Sequence, residues 1–201
     1  MRYGIDLDGV LGDFGSRVVQ IGNRLWPGKF PPGYIPDNWN YEGYLTEDEW
    51  DQVWANIKAT PYFWLDEQAM PGVEELQDHL AFFGEHDEVF FITARQTTKG
   101  EPPLAQSSQW LRVHGLWPRN GYSVVLQVED PKHKQDLFRG LKLNYMLDDY
   151  APTIEQLNKI EGMHAYVLDQ PWNRYATSLP RVYSVSEYLD KIRRIENLTI
   201  A

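Results

Sequence analysis

Two aspartates, Asp6 and Asp8, follow the first apolar stretch of the chain and could together do acid–base chemistry or bind a cation. Residues 3–7 alternate as in a short buried strand, and Gly9 then breaks the pattern. Side chains two positions apart on a strand point the same way. Two carboxylates at such a short distance repel each other unless a cation or a transferable proton lies between them. An acidic loop without chemistry is the alternative.

A second acidic pair, Asp148 and Asp149, ends a later apolar stretch. Two adjacent carboxylates at the end of a buried strand cost free energy unless they hold a cation. A helix N-cap for the segment beginning at Pro152 would explain at most one of them. With Asp6 and the backbone carbonyl of Asp8, the pair offers the oxygen ligands that Mg²⁺ prefers. We therefore predict Mg²⁺ as a cofactor, with Asp148 as a direct ligand and Asp149 either direct or one shell behind.

The elements that must position these residues alternate between strands and helices. After Pro71 the pattern predicts helices at 73–80, 107–114, 134–141, 152–160 and 187–195, and strands at 88–92, 122–126, 143–147 and 164–168. This alternation predicts an α/β fold, a Rossmann-like parallel sheet flanked by helices. Ligands of such sheets bind beyond the carboxyl ends of the strands, where both acidic pairs and Thr93 are expected to gather.

Residues 15–69 differ in character and are predicted to form a small, mainly helical cap inserted after the first strand. The core is then formed by residues 1–14 and 70–201. The insertion contains two predicted helices, at 16–25 and 47–58, and Thr46 with Glu49 forms a capping-box pattern. Between the helices lies a loop rich in proline, glycine and aromatic residues. Most of its rings are expected to form the small core of the insertion, and a few could stack on a flat substrate such as a nucleobase.

The composition limits the classes of protein that fit. The chain has 201 residues, a net charge of −10 and no cysteine. A cysteine nucleophile, a disulfide and a thiolate zinc site are therefore excluded. The acidic balance argues against non-specific nucleic-acid binding, which depends on Lys and Arg. No stretch approaches the roughly 20 apolar residues of a membrane span, and the N-terminus enters a strand at once, so we expect a cytoplasmic protein.

Several segments, in order, resemble motifs of the haloacid dehalogenase (HAD) superfamily of phosphohydrolases. Asp6-Leu7-Asp8-Gly9-Val10 resembles the first motif, Phe90 to Arg95 the second, and Tyr145 to Asp149 the fourth. Asp169 to Arg174, with the sequence Asp-Gln-Pro-Trp-Asn-Arg, is similar to a segment of the 5′(3′)-deoxyribonucleotidase branch. The resemblance covers nearly the whole chain.

The resemblance implies a role for each matching residue. Asp6 would attack phosphorus and Asp8 would shuttle the proton. Thr93 and the backbone N–H of Ala94 would bind a phosphate oxygen, and Arg95 would either reach phosphate or pair with a carboxylate of the insertion. A lysine would neutralise the phosphate and the attacking carboxylate; Lys134 is preferred over Lys132, because its spacing to the acidic pair resembles that of the deoxyribonucleotidase branch.

We therefore predict a Mg²⁺-dependent phosphomonoester hydrolase that forms an aspartyl-phosphate intermediate and acts on a nucleoside 5′-monophosphate. The sequence is compatible with either a monomer or a homodimer. A sugar phosphate, another small phosphoester or a polynucleotide 3′-phosphate are alternative substrates. A non-catalytic nucleotide-sensing or phosphoacceptor module is the alternative outside enzymes. Asp8 and the long insertion favour the enzyme, because a phosphoacceptor domain needs neither.

Overall fold

The computed structural model describes residues 1–80, 83, 84, 87–117 and 122–200. Its strands are β1 (Arg2–Ile5), β2 (Glu88–Ala94), β3 (Tyr122–Val128), β4 (Tyr145–Asp148), β5 (His164–Leu168) and β6 (Arg181–Val182). They form one sheet of six strands in the order β3-β2-β1-β4-β5-β6, and every neighbouring pair is parallel. The predicted parallel α/β fold is confirmed.

Helices connect and cover these strands. They are α1 (Phe14–Leu25), α2 (Glu47–Ala59), α3 (Gly72–His79), α4 (Pro103–Val113), α5 (Lys134–Leu141), α6 (Ala151–Leu157) and α7 (Val185–Ile200). Helix α4 begins earlier than predicted, because Pro103 is tolerated at a first helical position where its missing N–H is not needed. Strand β6 was not predicted, since two residues carry no periodicity. None of the helices in the described ranges is long and apolar enough to cross a membrane.

The sheet is buried on both faces. Along β2, Val89 and Phe91 pack into one apolar cluster with Trp110 and Leu189, whereas Phe90 and Ile92 pack into a second cluster on the other face. Covering helices on both sides explain why parallel strands of this kind read as continuous apolar runs. The carboxyl ends of the central strands β1, β2 and β4 are thereby held side by side.

The segment between β1 and α3 has an apolar cluster of its own. Phe30, Tyr41, Phe63 and Trp64 are buried there against α1 and α2. The predicted capping box of α2 is confirmed: the Glu49 N–H donates to Thr46 Oγ1 (3.3 Å), and the Thr46 N–H donates to Glu49 Oε2 (2.9 Å).

Candidate active site

The turn after β1 holds Asp6 and Asp8 at the carboxyl end of the sheet. The Asp6 N–H donates to the Leu147 carbonyl of β4 (2.9 Å), so the pairing of β1 with β4 continues to Asp6. The chain then turns sharply, because the Leu7 carbonyl accepts N–H groups from Val10 (3.2 Å), Leu11 (2.8 Å) and Gly12 (2.8 Å). Both carboxylates lie where the sheet topology predicted them.

Gly9 allows the two acidic pairs to meet. Its φ of 78° lies in the left-handed region, and a Cβ at this position would lie 2.2 Å from Asp149 Oδ2. A side chain here would therefore force the β1 turn away from Asp149.

Lys134, the first residue of α5, bridges the two acidic pairs. Its Nζ lies 2.9 Å from Asp6 Oδ2 and 2.9 Å from Asp148 Oδ2. Burial alone lowers the pKa of Lys134, but Asp148 and Asp6 together raise this pKa above its usual value, so the ammonium stays charged. Lys132 instead lies on the surface, 2.6 Å from Asp130. Of the two candidate lysines, the structure brings Lys134 into the cluster.

The three buried carboxylates form a group that could hold a cation. Asp6, Asp148 and Asp149 each offer an oxygen within 4.8 Å of the others. Asp6 Oδ1 and Asp149 Oδ1 are buried without a hydrogen-bond partner. Burial, and next the charge of Asp148, raise the pKa values of Asp6 and Asp149 well above normal. Unpartnered buried oxygens on crowded carboxylates fit a hard divalent cation such as Mg²⁺.

The carboxylate of Asp8 faces a different set of partners, at the end of β2. Thr93 Oγ1 donates to Asp8 Oδ2 (2.8 Å), and Arg95 Nη2 donates to Asp8 Oδ1 (2.9 Å). Burial alone raises the pKa of the Asp8 carboxyl, but the Arg95 guanidinium outweighs it and holds this pKa below its usual value. Every Arg95 side-chain nitrogen donates to a protein oxygen, so contact of Arg95 with phosphate would require it to exchange a partner.

Glu67 is a member of this group that the sequence did not predict. It is buried, forms an ion pair with Arg95, and leaves Oε1 without a partner. Burial raises the pKa of the Glu67 carboxyl well above normal, although Arg95 opposes this effect. The sequence offered only a weak signal, since it left a carboxylate of the insertion as one partner for Arg95 without indicating which one.

The segment 169–174, singled out in the sequence, packs behind the fourth motif. Trp172 Nε1 donates to Asp149 Oδ2 (2.8 Å), and Asn173 Nδ2 donates to the Asp149 carbonyl (2.8 Å). Gln170 Nε2 donates to the Gly9 carbonyl (2.8 Å). The segment thus ties the β1 turn to the second acidic pair.

A cavity of about 180 Å³, open to solvent, lies above these groups. Asp6, Asp8, Asp149 and Lys134 line its floor, with Ala94 beside them. Aromatic residues of the segment between β1 and α3 line its walls, among them Trp39, Trp50 and Trp54. Trp39 also reaches the core, with its ring centroid 6.0 Å from that of Trp172. The cavity thus combines a charged floor with aromatic walls.

Comparison with solved structures shows the fold to which this chain is similar. A HAD-superfamily hydrolase of subfamily IA from Geobacter sulfurreducens has a TM-score of 0.53 at 15% identity, over 94% of both chains. A "putative beta-phosphoglucomutase" from Thermotoga maritima has a TM-score of 0.54 at 14% identity, over 96% of this chain and 99% of that one. The chain has the HAD hydrolase fold.

Sequence comparison then shows the family. Residues 1–197 match the model of the family described as 5′ nucleotidase, deoxy (pyrimidine), cytosolic type C protein. The chain belongs to this family and is a phosphatase of the HAD nucleotidase type. It is also 29% identical, over 145 residues and 72% of each chain, to a protein of Oceanobacillus iheyensis named "Putative nucleotidase".

Proposed function

We propose that this phosphatase hydrolyses nucleoside 5′-monophosphates, with deoxyribonucleotides as its preferred substrates, in the cytoplasm. The observation that carries the proposal is the state of Asp6 at the cavity floor. One of its oxygens lies 2.9 Å from Lys134 and the other has no partner. A carboxylate that a lysine holds at the floor of a cavity is suited to nucleophilic attack.

In the first step, an oxygen of Asp6 attacks phosphorus in line with the ester bond. The new bond gives an aspartyl-phosphate, the bond from phosphorus to the 5′ oxygen breaks, and Asp8 gives a proton to that oxygen. Asp8 must therefore enter this step protonated, although Arg95 lowers the pKa of its carboxyl. In the second step, Asp8 removes a proton from water, which attacks the phosphorus. Inorganic phosphate leaves, and Asp6 and Asp8 return to their starting states.

Positive charge and N–H donors offset the negative charge on the transferring group. Lys134 lies beside Asp6, and the backbone N–H of Ala94 ends β2 at the cavity. The Thr93 hydroxyl donates to Asp8 Oδ2, so it would have to exchange this partner in order to bind phosphate. Asp6, Asp148, Asp149 and the Asp8 carbonyl would hold Mg²⁺. When bound, Mg²⁺ supplies positive charge to the phosphoryl oxygens, the main need in phosphoryl transfer.

Residues 15–69 would act as a cap that covers the phosphate and holds the nucleoside. Trp50 and Trp54 of α2 and Trp39 of the preceding loop are half-buried and line the cavity. Half-buried rings on a cavity wall offer the faces on which a base can stack.

The test is phosphate release from nucleoside 5′- and 3′-monophosphates, a sugar phosphate, a 3′-phosphorylated oligonucleotide and an aryl phosphate. Each is assayed with Mg²⁺ and with a chelator, for the wild type and Asp6→Asn. We expect Mg²⁺-dependent turnover that is greatest for deoxyribonucleoside 5′-monophosphates and falls more than about 1,000-fold in Asp6→Asn. Acid quenching of the wild type during turnover should leave a phosphoryl group on the peptide that contains Asp6.

Other outcomes select the alternatives. Preference for the sugar phosphate or the oligonucleotide would reject the nucleotide substrate and keep the phosphatase mechanism. Full activity of Asp6→Asn would reject the aspartyl-phosphate. Binding of a nucleotide without turnover, in folded protein with Mg²⁺, would favour a nucleotide-sensing module.

A further inference from the structure

The carboxylate of Asp8 is held in one orientation by a buried arginine. Arg95 is 0% exposed. Its Nε lies 3.1 Å from both Asp8 oxygens, and Nη2 lies 2.9 Å from Oδ1. Thr93 supplies the further donor to Oδ2. Two-point contact of this kind fixes the plane of a carboxylate as well as its position.

Arg95 is itself held from the sides that do not face Asp8. Nη2 also contacts Glu67, and Nη1 lies 2.9 Å from Ser107 Oγ. The ring of Trp64 packs on the guanidinium, 4.9 Å from Cζ to the ring centroid. The Glu67 backbone is fixed in turn, because its carbonyl accepts the indole N–H of Trp110 (2.8 Å).

Glu67 lies where both connections between the insertion and the sheet meet. Gly12, on the outgoing connection, pairs with Ala69 on the returning one, and the Asp13 N–H donates to the Gln68 carbonyl (2.9 Å). A Cβ on Gly12 would lie 2.4 Å from Glu67 Oε2. The contact from Glu67 through Arg95 to Asp8 therefore starts at the base of the insertion and ends at the cavity.

We propose that Glu67 and Arg95 are positioning residues: they orient the Asp8 carboxyl for proton transfer to the leaving oxygen and link this orientation to the insertion. The inference rests on the proposed function, in which Asp8 is the acid and base. Proton transfer needs the donor within about 2.6–3.2 Å of the leaving oxygen. Three ionisable groups taken out of water at one point are weak support for stability alone, which favours a role in the reaction.

The test compares two substrates that differ in one atom. The first is a deoxyribonucleoside 5′-monophosphate, and the second is its 5′-phosphorothiolate, with sulfur as the bridging atom. The alkoxide needs a proton in order to leave, whereas the thiolate leaves without one. The chain has no cysteine, so a thiol reagent reports only the released product.

The informative quantity is kcat/KM, which covers the steps up to departure of the leaving group. For Arg95→Lys and Glu67→Gln we expect kcat/KM to fall about 100-fold for the oxygen ester and less than about 10-fold for the thiolate ester. KM for the phosphorothiolate should not rise. Release of the thiol product by these variants should show a burst of about one thiol per enzyme. The reason is that a misaligned Asp8 also slows the attack of water on the aspartyl-phosphate. Glu67→Asp, which keeps the charge, should recover part of the loss.

Two controls separate positioning from damage to the fold. Arg2→Lys makes the same substitution at an arginine that pairs with Glu88 at the opposite end of the sheet. Leu189→Ala removes apolar contacts on the buried face of α7. Each control variant should change kcat/KM for the oxygen ester and kcat/KM for the thiolate ester by the same factor. This holds whether or not the substitution lowers the melting temperature of the protein.

Equal losses on the two substrates in Arg95→Lys and Glu67→Gln would overturn the positioning role, as would no loss on either. Wild-type protein that cleaves neither substrate would instead overturn the proposed function, and the positioning role with it. The two failures are therefore distinguishable.

Discussion

The indole N–H of Trp172 donates to Asp149 Oδ2 at 2.8 Å. This bond leaves Oδ1 as the oxygen of Asp149 without a hydrogen-bond partner. Asp149 offers an oxygen within 4.8 Å of oxygens of Asp6 and Asp148, with which it forms the carboxylate group. A tryptophan remote from β4 in sequence thus orients a carboxylate that could bind a metal ion. Residues that hydrogen-bond to a metal-ligating carboxylate commonly orient its oxygen toward the metal ion and so affect metal affinity.

Trp172→Phe is expected to weaken Mg²⁺ binding by about 10-fold, within the range seen when a ligand loses its supporting hydrogen bond. Calorimetric titration with Mg²⁺ measures the change. Trp117→Phe is the matched control, since Trp117 packs on Arg112 and does not line the cavity. Unchanged affinity in Trp172→Phe would show that the indole does not support the metal site.

Lys134→Met is expected to lower the free energy of unfolding of the metal-free protein by about 3 kcal/mol. The reason is that Asp6 and Asp148 lose the cation that lies 2.9 Å from each, and both remain buried. Urea denaturation in chelator measures the change. Lys132→Met, at an exposed lysine, should have almost no effect. Equal effects of the two substitutions would mean that Lys134 does not neutralise this cluster.

Asp149→Asn is expected to stabilise the metal-free protein and to remove its stabilisation by Mg²⁺. The amide relieves repulsion from Asp148, by on the order of 1 kcal/mol, and can still accept from Trp172. Melting temperatures in chelator and in Mg²⁺ test both parts. Asp190→Asn, on the exposed face of α7, should leave both temperatures unchanged. A melting temperature of Asp149→Asn that still rises with Mg²⁺ would argue against Asp149 as a ligand.

Trp54→Leu is expected to raise KM for a deoxyribonucleoside 5′-monophosphate by about 10-fold, the cost of losing one stacking contact. Deoxyribose 5-phosphate has no base, so its KM should change little. Trp26→Leu is the control, because Trp26 also lies in the insertion but does not line the cavity. Equal increases of KM for both substrates would mean that Trp54 does not contact a base.

The stabilising effect of Asp169 is expected to disappear in acid. Hydrogen bonding to Arg174, together with Arg181, holds the pKa of Asp169 below its usual value. A carboxyl whose pKa is lowered in the folded state stabilises the protein at pH values above its unfolded-state pKa of about 3.9. This stabilisation is lost as the pH falls through the pKa of the folded state. Asp169→Asn should therefore be less stable than the wild type by up to about 1 kcal/mol at pH 7, with no difference at pH 2. A constant difference across this range would contradict the assignment.

Much of the fold was predictable because buried parallel strands leave a strong pattern. Strands β2 to β5 and the helices between them follow apolar runs and helical periodicities, and the capping box of α2 was predicted from Thr46 and Glu49. Strand β6 was missed because Arg181 and Val182 are too few to show a pattern. The start of α4 was misplaced because proline at a first helical turn resembles a loop.

The sequence predicted which residues gather at the candidate site but not which side chains contact each other there. Asp6, Asp8, Thr93, Asp148 and Asp149 could be grouped because the carboxyl ends of neighbouring parallel strands share one edge. The partners of Arg95 could not be assigned in the same way. Glu67 lies 28 residues before it, outside the sheet, and no spacing rule connects the two.

The sequence by itself determined the parallel α/β architecture, the two acidic pairs and the edge of the sheet at which they lie, because these follow from local periodicity and strand order. Only the tertiary structure decided that Lys134 rather than Lys132 lies between Asp6 and Asp148, that Thr93 and Arg95 bind Asp8, and that Trp172 binds Asp149. The physical reason is that a hydrogen bond or ion pair requires side-chain atoms to meet within about 3 Å. That geometry depends on how segments far apart in the chain pack against each other. The local pattern of apolar and polar residues does not contain this information.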